Sequence, residues 1–321
     1  MTSTGNQAAT ANDEIPLYLP AGQEHVFAVA TRPPVPANGV GVLCLHAGAN
    51  TQTPHRNRMY TRVCREVAGA GCLALRMDYH GTGDSSGVLV DRGIFGQTVD
   101  DVRAAVRWLT ENGAERIVAV GTCWGALVAL AAAAQEEAFV SLCLISPPFT
   151  LLEKGASATV RPGRQEHLGR ALSLGFRPRV IRMLVTEPEY RRWVLRRILR
   201  RIRRALARHG WVGSAPRADD HVQASPQALL APLLRRHVQL RVLYGEEDQG
   251  YRDLTQRGGL PFLEAVSDIV DITVTPSRVH GFTTLQAQEA TLRHVRDCLA
   301  RDVGVAVGSV PDHADQVERV S

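Results

Sequence analysis

Between Arg116 and Leu130 the chain reads RIVAVGTCWGALVAL, and no other stretch narrows the choice of folds as much. The β-branched run Ile117, Val118 and Val120 has the composition of a buried strand, and the Ala/Leu-rich run after Gly125 that of a buried helix. Only Gly121-Thr122-Cys123-Trp124-Gly125 joins them. A strand that turns so abruptly into a helix brings backbone close on both sides of the turn, and a glycine at either flank leaves room for it. The central residue, Cys123, is then pushed out at the strand tip. There it meets a helix N-terminus, whose free N–H groups and dipole favour a thiolate. Two readings stand at this point: a thiol nucleophile, or a structural cysteine beside a tight turn.

At 321 residues the chain is long enough for one large or two small domains with a full core. Cysteines 44, 64, 72, 123, 143 and 298 include no C-x-x-C pair, and several lie inside apolar strand-like runs. That argues against a zinc site or a disulfide framework and for a reducing, cytoplasmic setting. The N-terminus lacks an apolar leader, and no run approaches a membrane span. Positive charge is almost wholly arginine, since Lys154 is the only lysine. Residues 161 to 210 hold 15 Arg against Glu166, Glu187 and Glu189, a balance of +12; with +5 for the whole chain, the rest carries −7.

In chain order, residues 1–13 are polar and expected to be disordered. Two extended runs from Ile15 to Thr31 flank Pro20-Ala21-Gly22, a hairpin signal. Strands are expected at 40–45, 72–77, 116–120, 139–145, 239–244 and 270–275. Helices are expected at about 57–69, 96–111, after Gly125, 251–266 and 285–300. A hairpin followed by repeated strand and helix demands a mostly parallel α/β sheet with helices on both faces. The alternation breaks at 149 and resumes near Val238. Core segments 14–148 and 238–300 are therefore expected around an insertion at 149–237, with a mobile tail at 301–321.

The spacing Gly121-x-Cys123-x-Gly125 is that of the nucleophile elbow, G-x-S-x-G, with cysteine where serine usually stands. An acid after a late strand, Asp248, and a histidine after the last strand, His280 in His-Gly-Phe, complete the order nucleophile, acid, histidine. The loop Asp78 to Gly87 is similar to the D-x-R-G-x-G-x-S stretch of many α/β-hydrolases, with His80 in the arginine's place. On these motifs the chain resembles the α/β-hydrolase superfamily over about residues 15 to 300. The resemblance implies that Cys123 is the nucleophile, His280 its base and Asp248 the residue orienting the imidazole. Glu246 and Glu247 are the alternatives for the acid. It further implies an oxyanion hole from the amides of Trp124 and of Gly48 or Ala47, the usual His-Gly pair reading His46-Ala47 here. His46 and His80 are expected to line the mouth and Trp193 the pocket. No metal or cofactor is expected.

A thioester on cysteine can be discharged by water or by another acceptor, and thiols handle activated esters, lactones and thioesters better than amides. Family members with cysteine at the elbow include dienelactone hydrolases, and similar scaffolds serve in polyketide tailoring. The resemblance therefore implies cleavage or transfer of an acyl group from an activated ester or thioester, in bacterial secondary metabolism. One alternative is a lyase on the same fold that expels acetate from an acylated tetronate-type intermediate. Another is a non-catalytic binding protein. In this family the insertion at 149–237 would be a helical cap. Within it, Tyr190 to Arg208 places Val194, Ile198 and Ile202 near one face with arginines around the rest. The arginines read as a solvated basic face, as an attractor for an anionic substrate or acidic carrier protein, or as a contact for an anionic membrane surface. Nucleic acid fits less well, because no aromatic platform accompanies the charge. A homodimer is left open.

Overall fold

Short apolar runs rich in Val, Ile and Leu can satisfy their backbone only by pairing with one another. In the computed structural model, which describes residues 13–48, 52–87, 94, 96–153, 226–256, 263 and 266–308, they do so in one sheet. Its strands are β1 (Asp13–Ala21), β2 (Glu24–Arg32), β3 (Val40–Leu45), β4 (Leu73–Met77), β5 (Arg116–Thr122), β6 (Phe139–Ile145), β7 (Gln239–Gly245) and β8 (Val270–Thr275). The spatial order is β1-β2-β4-β3-β5-β6-β7-β8. β1 and β2 form the expected hairpin, pairing Ile15 with Ala30 and Leu19 with Val26, and β2 joins β4 antiparallel. All later pairings are parallel.

Because strand side chains alternate, each central strand feeds both faces. Val42, Cys44, Val118, Val120, Cys143 and Ile145 meet the apolar stripes of α1 (Met59–Gly69) and α7 (Leu285–Val303). Leu43, Leu45, Ile117, Ala119, Leu142 and Leu144 meet α2 (Gln97–Glu111), α3 (Trp124–Ala133) and α5 (Pro226–Arg235). Two short helices, α4 (Thr150–Glu153) and α6 (Gln249–Gln256), follow β6 and β7. This three-layer arrangement is the α/β-hydrolase fold, and it brings the loops after β3, β5, β7 and β8 to the carboxyl end of the sheet.

Three boundaries differ from the sequence reading. Asp13 already pairs with Arg32 at the start of β1, where disorder was expected. The helix expected at 251–266 runs from Gln249 to Gln256, beyond which only Leu263 and Val266 fall in the described part of that stretch. The last helix continues past Ala300 to Val303 and is closed by Gly304 in the left-handed conformation. Its extra turn is held by Asp302, which accepts from Ser141 Oγ at 2.6 Å and from Arg241 Nη2 at 2.5 Å. Most of the expected cap, including Trp193 and the arginine-rich helix, lies outside the described residues.

Candidate active site

The elbow forms where the sequence places it. Cys123 sits between β5 and α3 at φ 52°, ψ −117°, a strained conformation for a non-glycine residue, with its N–H donating to the Ile145 carbonyl at 2.8 Å. Both flanking glycines are sterically required. A Cβ on Gly121 would lie 2.7 Å from Ala126 Cα, and one on Gly125 would run into the carbonyl oxygens of Leu45 and His46. β3 and the start of α3 therefore touch backbone to backbone beneath the cysteine.

Asp248, in the loop after β7, is fully buried, whereas Glu246 and Glu247 are exposed. Its two carboxylate oxygens accept from the backbone N–H groups of Gly245 and His280, each at 2.9 Å. It thus grips the β8 loop by the main chain of residue 280, and its charge acts on the His280 ring and on the Cys123 thiol alike. Burial lowers the His280 pKa, Asp248 partly restores it, and Arg278 opposes that. Burial raises the Cys123 thiol above its ordinary value; the Trp124 N–H, directed at the sulfur, works the other way, and the Asp248 charge adds to the rise. The thiolate expected from the helix terminus is therefore corrected. A helix dipole is worth a fraction of a kcal/mol to ~2 kcal/mol, and burial of the sulfur beside a carboxylate outweighs it.

The two histidines expected to line the mouth, His46 and His80, are instead enclosed. His46 is wholly buried: its Nδ1 accepts from the Gly48 N–H at 3.2 Å, its Nε2 lies 3.6 Å from Asp78 Oδ1, and its ring packs edge-on against Tyr79. Desolvation, with His55 adding to it, takes its pKa to about 3, so the ring is neutral. His80 is buried too, with both its main-chain N–H and its Nδ1 on the Asp101 carboxylate of α2. A carboxylate on α2 holds His80, a partner that no local sequence signal indicates. His55 was not singled out in the sequence, where it sits in the polar stretch Gln52-Thr53-Pro54-His55-Arg56-Asn57. Its ring lies between Tyr60 and Phe282, with centroids 5.0 and 4.8 Å away, and burial, reinforced by His280, takes its pKa to about 4. Tyr60 hydroxyl bonds the Leu45 carbonyl and Thr122 Oγ1 at 2.8 and 2.7 Å, tying α1 to β3 and to the elbow.

Of the expected oxyanion donors, Trp124 N–H faces the sulfur, Gly48 N–H is directed at the His46 ring, and Ala47 is half-buried beside it. Gly48 has φ 101°, and a Cβ there would lie 3.3 Å from the Trp124 ring. Trp124 also packs edge-on against Tyr79.

The profile of the serine aminopeptidase S33 family matches residues 53–249, a stretch that contains Cys123 and Asp248 and ends before His280. The chain belongs to this α/β-hydrolase family. Solved structures of the same fold include an esterase of Pyrococcus furiosus, at 15% identity over 91% of this chain and 94% of that one, with a TM-score of 0.56. Est1E of Butyrivibrio proteoclasticus, solved with ferulic acid bound, gives 15% identity, 89% and 99% coverage and 0.55. A serine hydrolase without a lid from Xanthomonas campestris gives 16% identity, 93% and 97% coverage and 0.52. At such identities these hydrolases share the fold alone with this one. No curated protein sequence matches the chain. No helix among the described residues of this hydrolase is long and apolar enough to cross a membrane.

Proposed function

We propose that this hydrolase uses Cys123, His280 and Asp248 to cleave or transfer an acyl group from an activated ester or thioester of a small molecule. The observation that carries the reading is the strained elbow at Cys123 together with a buried carboxylate, Asp248, whose charge bears on both the thiol and the His280 imidazole. In the resting site the thiol and the imidazole are both neutral. As sulfur attacks the carbonyl carbon, its proton passes to His280, and the imidazolium forms beside Asp248, where its charge is stabilised. The developing oxyanion is received by the N–H of Trp124, with Ala47 the favoured second donor because Gly48 N–H is already engaged by His46. Collapse breaks the bond to the leaving group, which takes the proton from His280. Water or another acceptor then attacks the thioester, giving its proton to His280, and the sulfur leaves and recovers that proton.

The arginine-rich segment within 149–237, proposed as a cap, would draw anionic or carrier-bound acyl groups toward the protein. The rate with such substrates should then fall as salt rises.

Intact-protein mass spectrometry after exposure to activated esters, acyl thioesters and acetylated hydroxy-lactones tests the reading. Wild type should gain the acyl mass and Cys123→Ala should not, while His280→Ala should acylate ~10²- to 10⁴-fold more slowly. Acetate with an unsaturated product, and no oxygen from labelled water, would reassign the protein as a lyase. No Cys123-dependent mass and no product from any probe would leave a binding protein.

A further inference from the structure

The loop after β3 carries Ala47, the favoured second oxyanion donor, and this loop lies directly against the elbow. The position a Cβ on Gly125 would take is 2.2 Å from the Leu45 carbonyl oxygen and 2.4 Å from that of His46. One step further along, the Cβ position of Gly48 is 3.3 Å from the Trp124 ring. A shift of residues 46 to 48 would therefore move a main-chain donor relative to the Cys123 turn. Such a donor stabilises charge only if it is fixed in place before the charge develops.

The side chain that fixes this loop is Asp78, which follows β4 and is buried. Its Oδ1 accepts from the Thr53 N–H at 2.6 Å and lies 3.6 Å from His46 Nε2. Because His46 Nδ1 accepts from the Gly48 N–H, the ring proton is on Nε2, toward that carboxylate. Asp78 Oδ2 accepts from Thr53 Oγ1 and from the Asp84 N–H, both at 3.2 Å. Gly83 packs so closely that a Cβ there would lie 1.9 Å from the same oxygen. One carboxylate thus holds the β3 loop at His46 and at Thr53, and holds both against the β4 loop. The charges that bear on the Cys123 thiol and the His280 imidazole are those of Asp248 and Arg278, so a change at Asp78 leaves the nucleophile and its base as they are.

We propose that Asp78 is a positioning residue for the oxyanion hole: through His46 and Thr53 it sets the place of the Ala47 N–H beside the Trp124 N–H. This rests on the function proposed above and deepens it. A carboxylate suits the task because every group directed at it is a donor. An amide in its place would turn an N–H toward N–H and O–H groups, and the loop would shift to relieve that.

Two reactions of Cys123, each followed by mass spectrometry of its peptide, test the assignment. Acetylation by 4-nitrophenyl acetate passes through an oxyanion. Alkylation by iodoacetamide displaces iodide at a saturated carbon and forms none, yet it needs the sulfur freed of its proton just as acetylation does. Asp78→Asn should slow acetylation on the order of 10- to 100-fold while alkylation keeps its wild-type rate. Thr53→Val, which removes one of the contacts, should act in the same direction by a smaller factor. Gly83→Ala, whose methyl would displace the carboxylate, should do so too, and these two variants decide the matter if Asp78→Asn does not fold. His280→Ala should slow both reactions. Equal slowing of the two reactions in the Asp78, Thr53 and Gly83 variants, or acetylation at the wild-type rate, would overturn the positioning role and leave the triad in place. If neither 4-nitrophenyl acetate nor any acyl thioester acylates wild type at Cys123, the enzymatic reading falls and this proposal with it.

Discussion

At Cys123 two physical effects compete, and the structure decides between them. The helix terminus favours the anion through the Trp124 N–H, but burial and the Asp248 carboxylate favour the thiol. With His280 also shifted toward its neutral form, the resting pair carries no charge. Wild type should therefore show no ultraviolet thiolate absorbance at neutral pH that Cys123→Ala lacks. Such a band would mean that an ion pair already exists. Acylation should decline on the acid side only as pH falls through the lowered His280 value, below the ordinary 6.5. Gly125 offers a second test at this scale. The methyl of Gly125→Ala would meet two backbone carbonyls that cannot withdraw, so the variant should lose at least about 3 kcal/mol in urea unfolding or fail to fold.

Among the elements, β6, β7 and α7 are joined by a cluster of charged and polar side chains. Asp302, nearly buried at the end of α7, receives Arg241 of β7 and Ser141 of β6. Arg241 itself is held mainly by that carboxylate, which raises its pKa, with Asp271 a further and more exposed partner. Asp302→Ala should cost about 3 kcal/mol by chemical denaturation, because it removes the main partner of a largely buried guanidinium and leaves it only Gln239 and the more exposed Asp271. Replacing both partners by apolar residues, Arg241→Met with Asp302→Leu, should recover most of that loss. If the single variant is as stable as wild type, the pair is incidental. The helix end was partly legible in the sequence. The apolar stripe Leu292, Val295 and Leu299 continues one turn on at Val303, and Gly304 follows as a left-handed cap. What the sequence did not show is the anchor of that last turn, supplied by strands 61 and 161 residues away.

At the scale of the whole molecule, enclosed neutral histidines among the described residues weaken the fold in acid. His46 and His55 have pKa values near 3 and 4 when folded and return to the ordinary 6.5 on unfolding. The unfolded chain therefore binds protons that the folded chain does not, and stability must fall as pH drops below 6.5. From pH 6.5 to about 5.5 each should remove about 1 kcal/mol, and His280 and His294, both lowered by burial, act in the same direction. Asp78, Asp101 and Glu66, whose pKa values burial raises, oppose the trend, since the folded state takes up their protons first as pH falls toward the carboxylate range. Urea unfolding at the two pH values should show the loss, and His55→Phe should remove its share of it. A flat profile would mean that these rings admit solvent.

The sequence by itself determined the strand and helix alternation, the elbow at Cys123 and the chain order of Cys123, Asp248 and His280. Each of these is written in local periodicity, or in glycines whose lack of a side chain has a local purpose. Only the tertiary structure decided that Asp248 rather than Glu246 or Glu247 is buried, that His46 and His80 are enclosed, and that His55 faces the histidine loop. The protonation of the site belongs with these. Desolvation and charge coupling depend on how many groups from distant segments close around an atom, and residue spacing along the chain does not encode that.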